Sequence, residues 1–150
     1  MNKNSKESEP IKILNSYLEE KGLRKTQERY LILDEIYKKN DHFDIETLYQ
    51  IIIKKQKISK ATVYNTIDIL IHLKLIKKHS FLNKTLYEKS FQKKQHNHLI
   101  CRDCDKVLEF CDPRIQNIIN SIENSMDFVV SEHSLNFYGN CNNPKKCNKI

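Results

Sequence analysis

Hydrophobic positions in the first half of the chain recur every three or four residues, the spacing of one face of an amphipathic helix. The first such segment carries Ile11, Leu14 and Leu18. It ends at Gly22, a residue type that commonly follows a helix. Three more predicted helices begin after residues that often cap helix N-termini: Thr26, Asp44 and Ser59. We expect the second helix to end near residue 40 and the fourth near residue 74.

The pattern changes between residues 75 and 90. The segment LIKKHSFLNKTLYEKS alternates residues that favour strands around the turn-prone pair Asn83 and Lys84, which predicts a two-stranded hairpin. Helices followed by such a hairpin are typical of a winged helix. Its third and fourth helices would form the helix-turn-helix, with the fourth in the major groove of DNA.

The second half predicts a small α+β unit. Strand candidates are HNHLIC, KVLEF and HSLNFYG, and a helix follows Asp112 and Pro113 with isoleucines at helical spacing: Ile115, Ile118, Ile119 and Ile122. The polar segment SFQKKQ between the halves predicts a linker. The fold class is therefore α+β, with a DNA-binding domain over 1–88, a hinge over 89–95 and a second α/β domain over 96–150.

Composition and charge narrow the choice of partner. The chain has 150 residues, of which 39% are hydrophobic, and lacks a run of apolar residues long enough to cross a bilayer. Its polar start predicts a cytoplasmic protein without a secretion signal. Residues 1–89 hold 18 Lys and Arg against 12 Asp and Glu, whereas 90–150 hold 8 against 7. A basic half favours a polyanion such as DNA, although a lysine-rich surface alone would give the same excess.

All five cysteines follow residue 100. Cys101 and Cys104 form a C-x2-C pair, and Cys141 and Cys147 form a C-x5-C pair. Four thiolates in two pairs are typical of a structural zinc site, which can contribute about 10 kcal/mol or more to the folding of a small domain. Four unrelated buried cysteines or a redox pair are the alternatives. Cys111 is expected to be a small buried residue.

Two histidines precede the first cysteine pair. If HNHLIC is a strand, His96 and His98 lie on one face and Cys101 on the other, which favours two ions rather than one. Further ligand candidates are Glu109, Glu88 and His42. Imidazoles with carboxylates suit Fe(II), Mn(II) or exchangeable Zn(II), and an ion bound by residues of both domains would act as a switch. His42 and Glu88 could equally be solvated surface residues.

Polar side chains near the start of the fourth predicted helix are candidates for contacts with bases and phosphates. They are Ser59, Lys60, Thr62, Tyr64, Asn65 and Thr66. Thr62 and Tyr64 could contact thymine methyl groups, and Asn65 could pair with an adenine edge. The alternative is that Tyr64 packs in the hydrophobic core.

Five segments resemble, in order, hallmarks of the ferric uptake regulator family of bacterial metal-responsive repressors: GLRKTQERYLIL, ISKATVYNTIDIL, LYEKS, HNHLICRDCDKVLEF and HSLNFYGNC. The resemblance runs from about residue 20 to 147. It implies a homodimer, a winged helix joined by a hinge to an α/β dimerisation domain, and repression when metal is bound. It also implies structural zinc at the four paired cysteines, Arg24 in the minor groove and Tyr64 in the major groove. The implied regulatory site is His42, Glu88, His96, His98 and Glu109.

The chain departs from the family pattern at several positions. Only His133 remains of an additional family metal site, and Gln116 stands where an acidic ligand is expected, so that site is predicted to be absent. Asn65 replaces the arginine of iron-sensing members and is similar to the peroxide-sensing branch, but Ser90 stands where that branch has aspartate. The spacing from Glu88 to the histidine pair is one residue longer than usual.

These features predict a metal-responsive transcriptional repressor rather than an enzyme. It would sense iron and bind a palindromic operator in double-stranded DNA as a homodimer, with structural Zn(II) and regulatory Fe(II), or alternatively Mn(II) or Zn(II). A peroxide sensor and a zinc-uptake regulator are alternatives within the family. A zinc-dependent hydrolase or nuclease that uses His96, His98 and Glu109 is the alternative from another class.

Overall fold

The computed structural model describes residues 8–82, 84–91 and 93–143. The chain divides into two compact units, Met1–Lys93 and Lys94–Ile150. The predicted boundaries at 88 and 96, with a hinge between them, stay a prediction. Among the described residues, no helix is long and apolar enough to cross a membrane.

Four helices and a hairpin form the N-terminal unit, as predicted. They are α1 (Glu9–Glu20), α2 (Gln27–Tyr37), α3 (Ile45–Ile52), α4 (Lys60–His72), β1 (Ile76–Phe81) and β2 (Lys84–Lys89). Asp44 and Ser59 cap α3 and α4 by accepting hydrogen bonds from the backbone N–H of Thr47 and Thr62. Thr26 precedes α2 but makes no such side-chain bond, and α2 ends at Tyr37, earlier than predicted.

The predicted apolar stripes of the helices meet in one hydrophobic core. Its central side chains are fully buried, among them Leu14, Leu18, Ile36, Leu48, Ile52, Val63, Ile67 and Leu70. The segment before α3 is also attached to the hairpin, because Phe43 and Tyr87 exchange backbone hydrogen bonds of 2.9 and 2.7 Å. This bridge places the residues next to Phe43 beside strand β2.

The register of the hairpin decides which side chains share a face. Strands β1 and β2 are antiparallel, with His79 opposite Leu86 and Lys77 opposite Glu88. His79 and Glu88 are therefore diagonal neighbours on one face of the hairpin, close enough for long side chains to meet. Asn83 of the predicted turn lies outside the described residues.

Residues 94–143 of the C-terminal unit form a three-stranded sheet and one helix. Its elements are β3 (Asn97–Cys101), β4 (Val107–Phe110), α5 (Pro113–Met126) and β5 (Asn136–Gly139). Strand β3 is central, antiparallel to β4 and parallel to β5. Asp112 caps α5 by accepting from the backbone N–H of Arg114. The helix forms where predicted, but none of its residues is buried in this chain.

Candidate metal centres and nucleic-acid interface

Three cysteines converge at one end of the C-terminal sheet. Cys101 ends β3, Cys104 lies in the following turn, and Cys141 follows β5, whose Gly139 pairs with Cys101. The three Sγ atoms lie within 4.8 Å of one another, and none of the cysteines in the described part of the chain forms a disulfide. The predicted fourth ligand, Cys147, lies outside the described residues.

The surroundings of Cys101 favour the thiolate form of its side chain over the thiol. Burial raises its pKa, but hydrogen bonds from the backbone N–H groups of Asp103 and Cys104 lower it, and the net effect lowers the pKa to about 6. The thiolate is the form that binds metal. A cluster of soft thiolate donors fits Zn(II) in a tetrahedral structural site.

A second cluster lies within the N-terminal unit and consists of His42, His79 and Glu88. The Nε2 atom of His79 is 2.8 Å from Oε1 of Glu88, and Nε2 of His42 is 4.0 Å from Oε2 of the same carboxylate. The two imidazole rings meet edge to face with centroids 5.5 Å apart. Glu88 is only 3% exposed, and the ammonium of Lys93 lies 2.5 Å from its Oε2.

Sequence reasoning identified His42 and Glu88 but missed His79. It left open that the two ligand candidates are surface residues, whereas in the structure the side chains of His42 and Glu88 are only 8% and 4% exposed. The signal for His79 was available in principle, because the predicted hairpin puts residues 79 and 88 on adjacent strands, and the observed register places them on the same face. Using it required the register of the hairpin, which the amino-acid pattern did not define.

The third group, His96, His98 and Glu109, lies within the C-terminal unit. The rings of His96 and His98 are 4.9 Å apart, and Nε2 of His96 is 3.7 Å from Oε1 of Glu109. His98 and Glu109 are opposite each other on β3 and β4. These three residues come together as predicted, separately from the cysteines. That one ion binds all five residues of the predicted regulatory set stays a prediction, since two belong to the N-terminal unit and three to the C-terminal unit.

Cys111 and His133 are the remaining residues of the C-terminal unit on which the sequence made a prediction, and the structure corrects the first. Cys111 is exposed, not buried, because it follows the last residue of β4 and its thiol only reaches the carbonyl of Gln95 at 3.7 Å. His133 and Gln95 are in contact through a hydrogen bond from the Gln95 amide to the His133 carbonyl. The absence of a metal site at His133 stays a prediction.

Helix α4 presents two different faces. Val63, Ile67 and Leu70 are buried, whereas Tyr64 is 49% exposed and Asn65 is exposed beside it. The alternative that Tyr64 packs in the core is therefore wrong, because its helical phase points it away from the stripe of buried residues. These exposed side chains are available to a ligand as large as DNA.

The other predicted DNA contacts differ in exposure. Lys60 is exposed and pairs with Glu46 at 2.8 Å, and the hydroxyls of Ser59 and Thr62 are hydrogen-bonded to each other. Thr66 is 1% exposed and its hydroxyl donates to the Thr62 carbonyl, so its burial does not support a contact between its side chain and DNA.

A cleft of about 480 Å³ lies between the α1–α2 loop and α4. Arg24 and Arg29 line it together with Thr62 and Asn65. The Nη1 atom of Arg29 is buried and has no hydrogen-bond partner among the described residues. The two arginines outnumber Glu28, the acidic residue of the lining, so the cleft has a net positive formal charge. Sequence reasoning named Arg24 and overlooked Arg29.

Comparison with known proteins decides the family. The profile of the ferric uptake regulator family matches residues 20–138. The chain belongs to the ferric uptake regulator family. It is 31% identical to the ferric uptake regulation protein of Haemophilus influenzae over 135 residues, which cover 88% of this chain and 92% of that protein.

Two solved structures of the family resemble the fold. The ferric uptake regulator of Helicobacter pylori superposes with a TM-score of 0.81 at 23% identity, covering 93% of both chains. The Francisella tularensis ferric uptake regulator, solved with iron, superposes with a TM-score of 0.71 at 27% identity, covering 81% of this chain and 93% of that one. The predicted α+β fold class is confirmed, and as a member of the ferric uptake regulator family the chain is a metal-responsive transcriptional regulator.

Proposed function

We propose that this member of the ferric uptake regulator family is an iron-activated repressor that binds a palindromic operator as a homodimer and holds a separate structural zinc. The observation that carries the proposal is the contrast between donor sets. Three cysteine sulfurs lie together in one cluster, whereas the histidines and glutamates form others. Thiolates suit a permanently held Zn(II), and imidazoles with carboxylates suit an exchangeable divalent ion.

The cysteine cluster supports a structural role for zinc. It connects the end of β3 with the segment after β5, and the described residues of this unit contain few buried apolar side chains. Zinc would supply a cross-link between these segments, and Cys147 would complete the four ligands. Cys101 is already tuned towards the thiolate by backbone N–H groups, with a pKa of about 6.

The histidine and glutamate clusters support a regulatory metal. Their ligand atoms are nitrogen and oxygen, which bind Fe(II), Mn(II) and Zn(II) with geometry and supply deciding among them. Iron is the choice that agrees with the names of the relatives and with the iron-bound Francisella tularensis structure. The residues that would hold the ion are His42, Glu88, His96, His98 and Glu109.

The exposed face of α4 supports operator binding. Tyr64 and Asn65 are exposed where a recognition helix meets base edges, and Arg24 and Arg29 line the adjacent cleft, where phosphates would be attracted. A regulator that reads chromosomal DNA acts in the cytoplasm, and it needs no catalytic residues to do so.

An exposed apolar row supports a homodimer. Leu108, Leu99 and Phe137 are neighbours across β4, β3 and β5, and they are 46%, 42% and 49% exposed. Contiguous exposed apolar surface of this kind marks protein interfaces. A two-fold dimer through this surface would match the symmetry of a palindromic operator.

Operator binding with and without Fe(II) or Mn(II), measured anaerobically by gel shift, tests the regulatory proposal. We expect tight binding only with metal, and equal affinity in both conditions would contradict it. Metal analysis of the purified chain before and after mild chelation should show one retained zinc and one removable ion per chain.

Sedimentation tests the dimer. Leu99→Glu places a charge in the apolar row and should convert the dimer to monomer, because an unpaired charge is costly to bury. Leu82→Glu is the matched control, since Leu82 is also exposed but lies in the N-terminal unit. A dimeric Leu99→Glu chain would contradict this interface.

A further inference from the structure

We propose that His79 is itself a ligand of the regulatory metal, so that the N-terminal unit supplies two imidazoles and one carboxylate. This inference rests on the proposed function, because it assigns a further residue to the same exchangeable ion. The ligand set carried over from the family resemblance contains His42 and Glu88 but not His79.

The three ligand atoms already converge. Atoms of His42, His79 and Glu88 that can bind metal all lie within 4.8 Å of one another. With metal–ligand distances of about 2.1 Å, two donors on one ion are separated by about 3 to 4.2 Å. The separations of 2.8 Å between His79 and Glu88 and 4.0 Å between His42 and Glu88 are near this range.

The surrounding structure holds the His79 ring in place. It stacks on the ring of Phe81, with centroids 5.3 Å apart and planes 6° from parallel, and Phe81 is itself buried. His79 is two residues before Phe81 on β1, so the hairpin aims both side chains to one face. A ring that is ordered by packing loses little freedom on binding metal.

His42 is held from the opposite side by a different element. It immediately precedes Phe43, whose backbone hydrogen bonds with Tyr87 attach the segment to β2. The three donors therefore come from a loop and two paired strands of one compact unit. Two histidines and one carboxylate on one side of an ion form a set typical of Fe(II) and related divalent metals, with further positions open to other ligands.

The burial and charge of the cluster favour a cation. The side chains of His42, His79 and Glu88 are 8%, 14% and 4% exposed, so the carboxylate is largely shielded from water. The ammonium of Lys93 contacts this carboxylate. A divalent ion would interact with the same oxygens. To ligate through Nε2, the neutral His79 ring must carry its proton on Nδ1.

The competing explanation is that His79 only positions Glu88 through the observed hydrogen bond. His79→Gln separates the two roles, because its amide can still donate to the carboxylate but supplies no imidazole nitrogen. His72→Gln is the matched control. His72 is an exposed histidine of the same unit at the end of α4, where its ring contacts Tyr17.

The first experiment is a Co(II) titration of the full chain with its cysteine-bound zinc retained, read by visible absorption and by competition with a chromophoric chelator. We expect His79→Gln to weaken binding of the removable ion by at least about 10-fold and to change the Co(II) spectrum. His72→Gln should match the wild type. Equal affinity and spectrum for His79→Gln and wild type would overturn the inference while leaving the proposed function standing. A wild-type chain that binds no removable Co(II) would overturn both.

A second measurement needs no substitution in the cluster. The wild-type chain, uniformly labelled with 13C and 15N and loaded with 113Cd(II), should show 113Cd–15N coupling at the Nε2 of His79, with the ring resonance assigned through its bonds to the backbone of residue 79. Coupling at His42 without coupling at His79 would overturn the proposal whether or not the variant folds.

Discussion

The two units of this regulator differ in what stabilises them. The N-terminal unit buries sixteen hydrophobic side chains in one cluster, whereas in the C-terminal unit only Ile100 and Cys101 are buried apolar residues among those described. A large core stabilises a unit without help, but a unit with so small a core depends on a metal or on a partner chain. The cysteine cluster and the exposed apolar row supply sites for both.

Two of the three ligand clusters follow the same division, whereas the group of His96, His98 and Glu109 lies in the C-terminal unit with the cysteines. The cysteines lie in the unit with the smaller core, where a closed thiolate site contributes to folding. His42, His79 and Glu88 lie on a scaffold that is folded by its own core, so binding there need not create the fold. A metal held by this cluster, as proposed, would be able to leave while the N-terminal unit stays folded, which is the property that a sensor needs.

The largest effect expected is on zinc binding. Cys104→Ser should remove the tightly held zinc and unfold the C-terminal unit, because a structural zinc contributes about 10 kcal/mol or more. Zinc content and NMR spectra of both units measure this. Cys111→Ser should keep the zinc, since Cys111 is outside the cluster. A folded C-terminal unit without zinc would break the comparison.

A core substitution should affect the other unit. Leu48→Ala removes a fully buried side chain of α3 and should destabilise the N-terminal unit by about 2–5 kcal/mol. Ile118→Ala, at a 58% exposed position of α5, should change the stability of the single chain by less than about 0.5 kcal/mol. Urea unfolding of each variant measures the difference. Similar losses in the free energy of unfolding for Leu48→Ala and Ile118→Ala would mean that the two units do not differ in how much a hydrophobic core stabilises them.

Removing the buried carboxylate should affect binding rather than folding. Glu88→Gln should weaken the removable metal about 10- to 100-fold and leave the zinc in place. Glu35→Gln is the matched control, because Glu35 is also buried and pairs with Lys38 and Lys55 away from the histidines. Metal titration followed by zinc analysis distinguishes the variants. Loss of zinc from Glu88→Gln would show that the two kinds of site are not independent.

The smallest effect concerns a helix cap in the N-terminal unit. Burial raises the pKa of Asp44, but hydrogen bonds, among them those from Thr47, together lower it by a larger amount. The net pKa is therefore below its usual value. Asp44→Ala should cost about 1 kcal/mol at neutral pH, far less than a core substitution. Because the folded-state pKa is lowered, the cap contributes above about pH 4 and its contribution is lost as the pH falls further.

Thermal unfolding at several pH values measures the contribution of this cap. Asp41→Ala, in the same loop but exposed, should behave like the wild type. A difference between Asp44→Ala and the wild type that persists in strong acid would contradict the assignment.

Much of the fold followed from local patterns. The helical spacing of Leu14 and Leu18 predicted α1, and the capping types of Asp44 and Ser59 predicted where α3 and α4 begin. The cysteine spacing predicted a cluster, and three of its four members are together in the structure. These features depend on residues that are close together in the sequence, so they can be predicted from the sequence alone.

Other features needed the fold itself. Whether Tyr64 faced the core or solvent depended on the phase of α4, and the exposure of Cys111 depended on where β4 ends. His79 joined the metal cluster only because the register of the hairpin places it diagonally from Glu88. Each case depends on the register or phase of an element, and in a strand an offset of a single residue reverses the face on which a side chain lies.

The amino-acid sequence alone determined the order of the elements, the separation of thiolate from imidazole and carboxylate donors, and the family resemblance, because periodicity and motif spacing are local properties. The tertiary structure decided which side chains meet across elements. Strand pairing and packing bring His42, His79 and Glu88 together from a loop and two strands, and no local pattern specifies distances between residues so far apart in the chain.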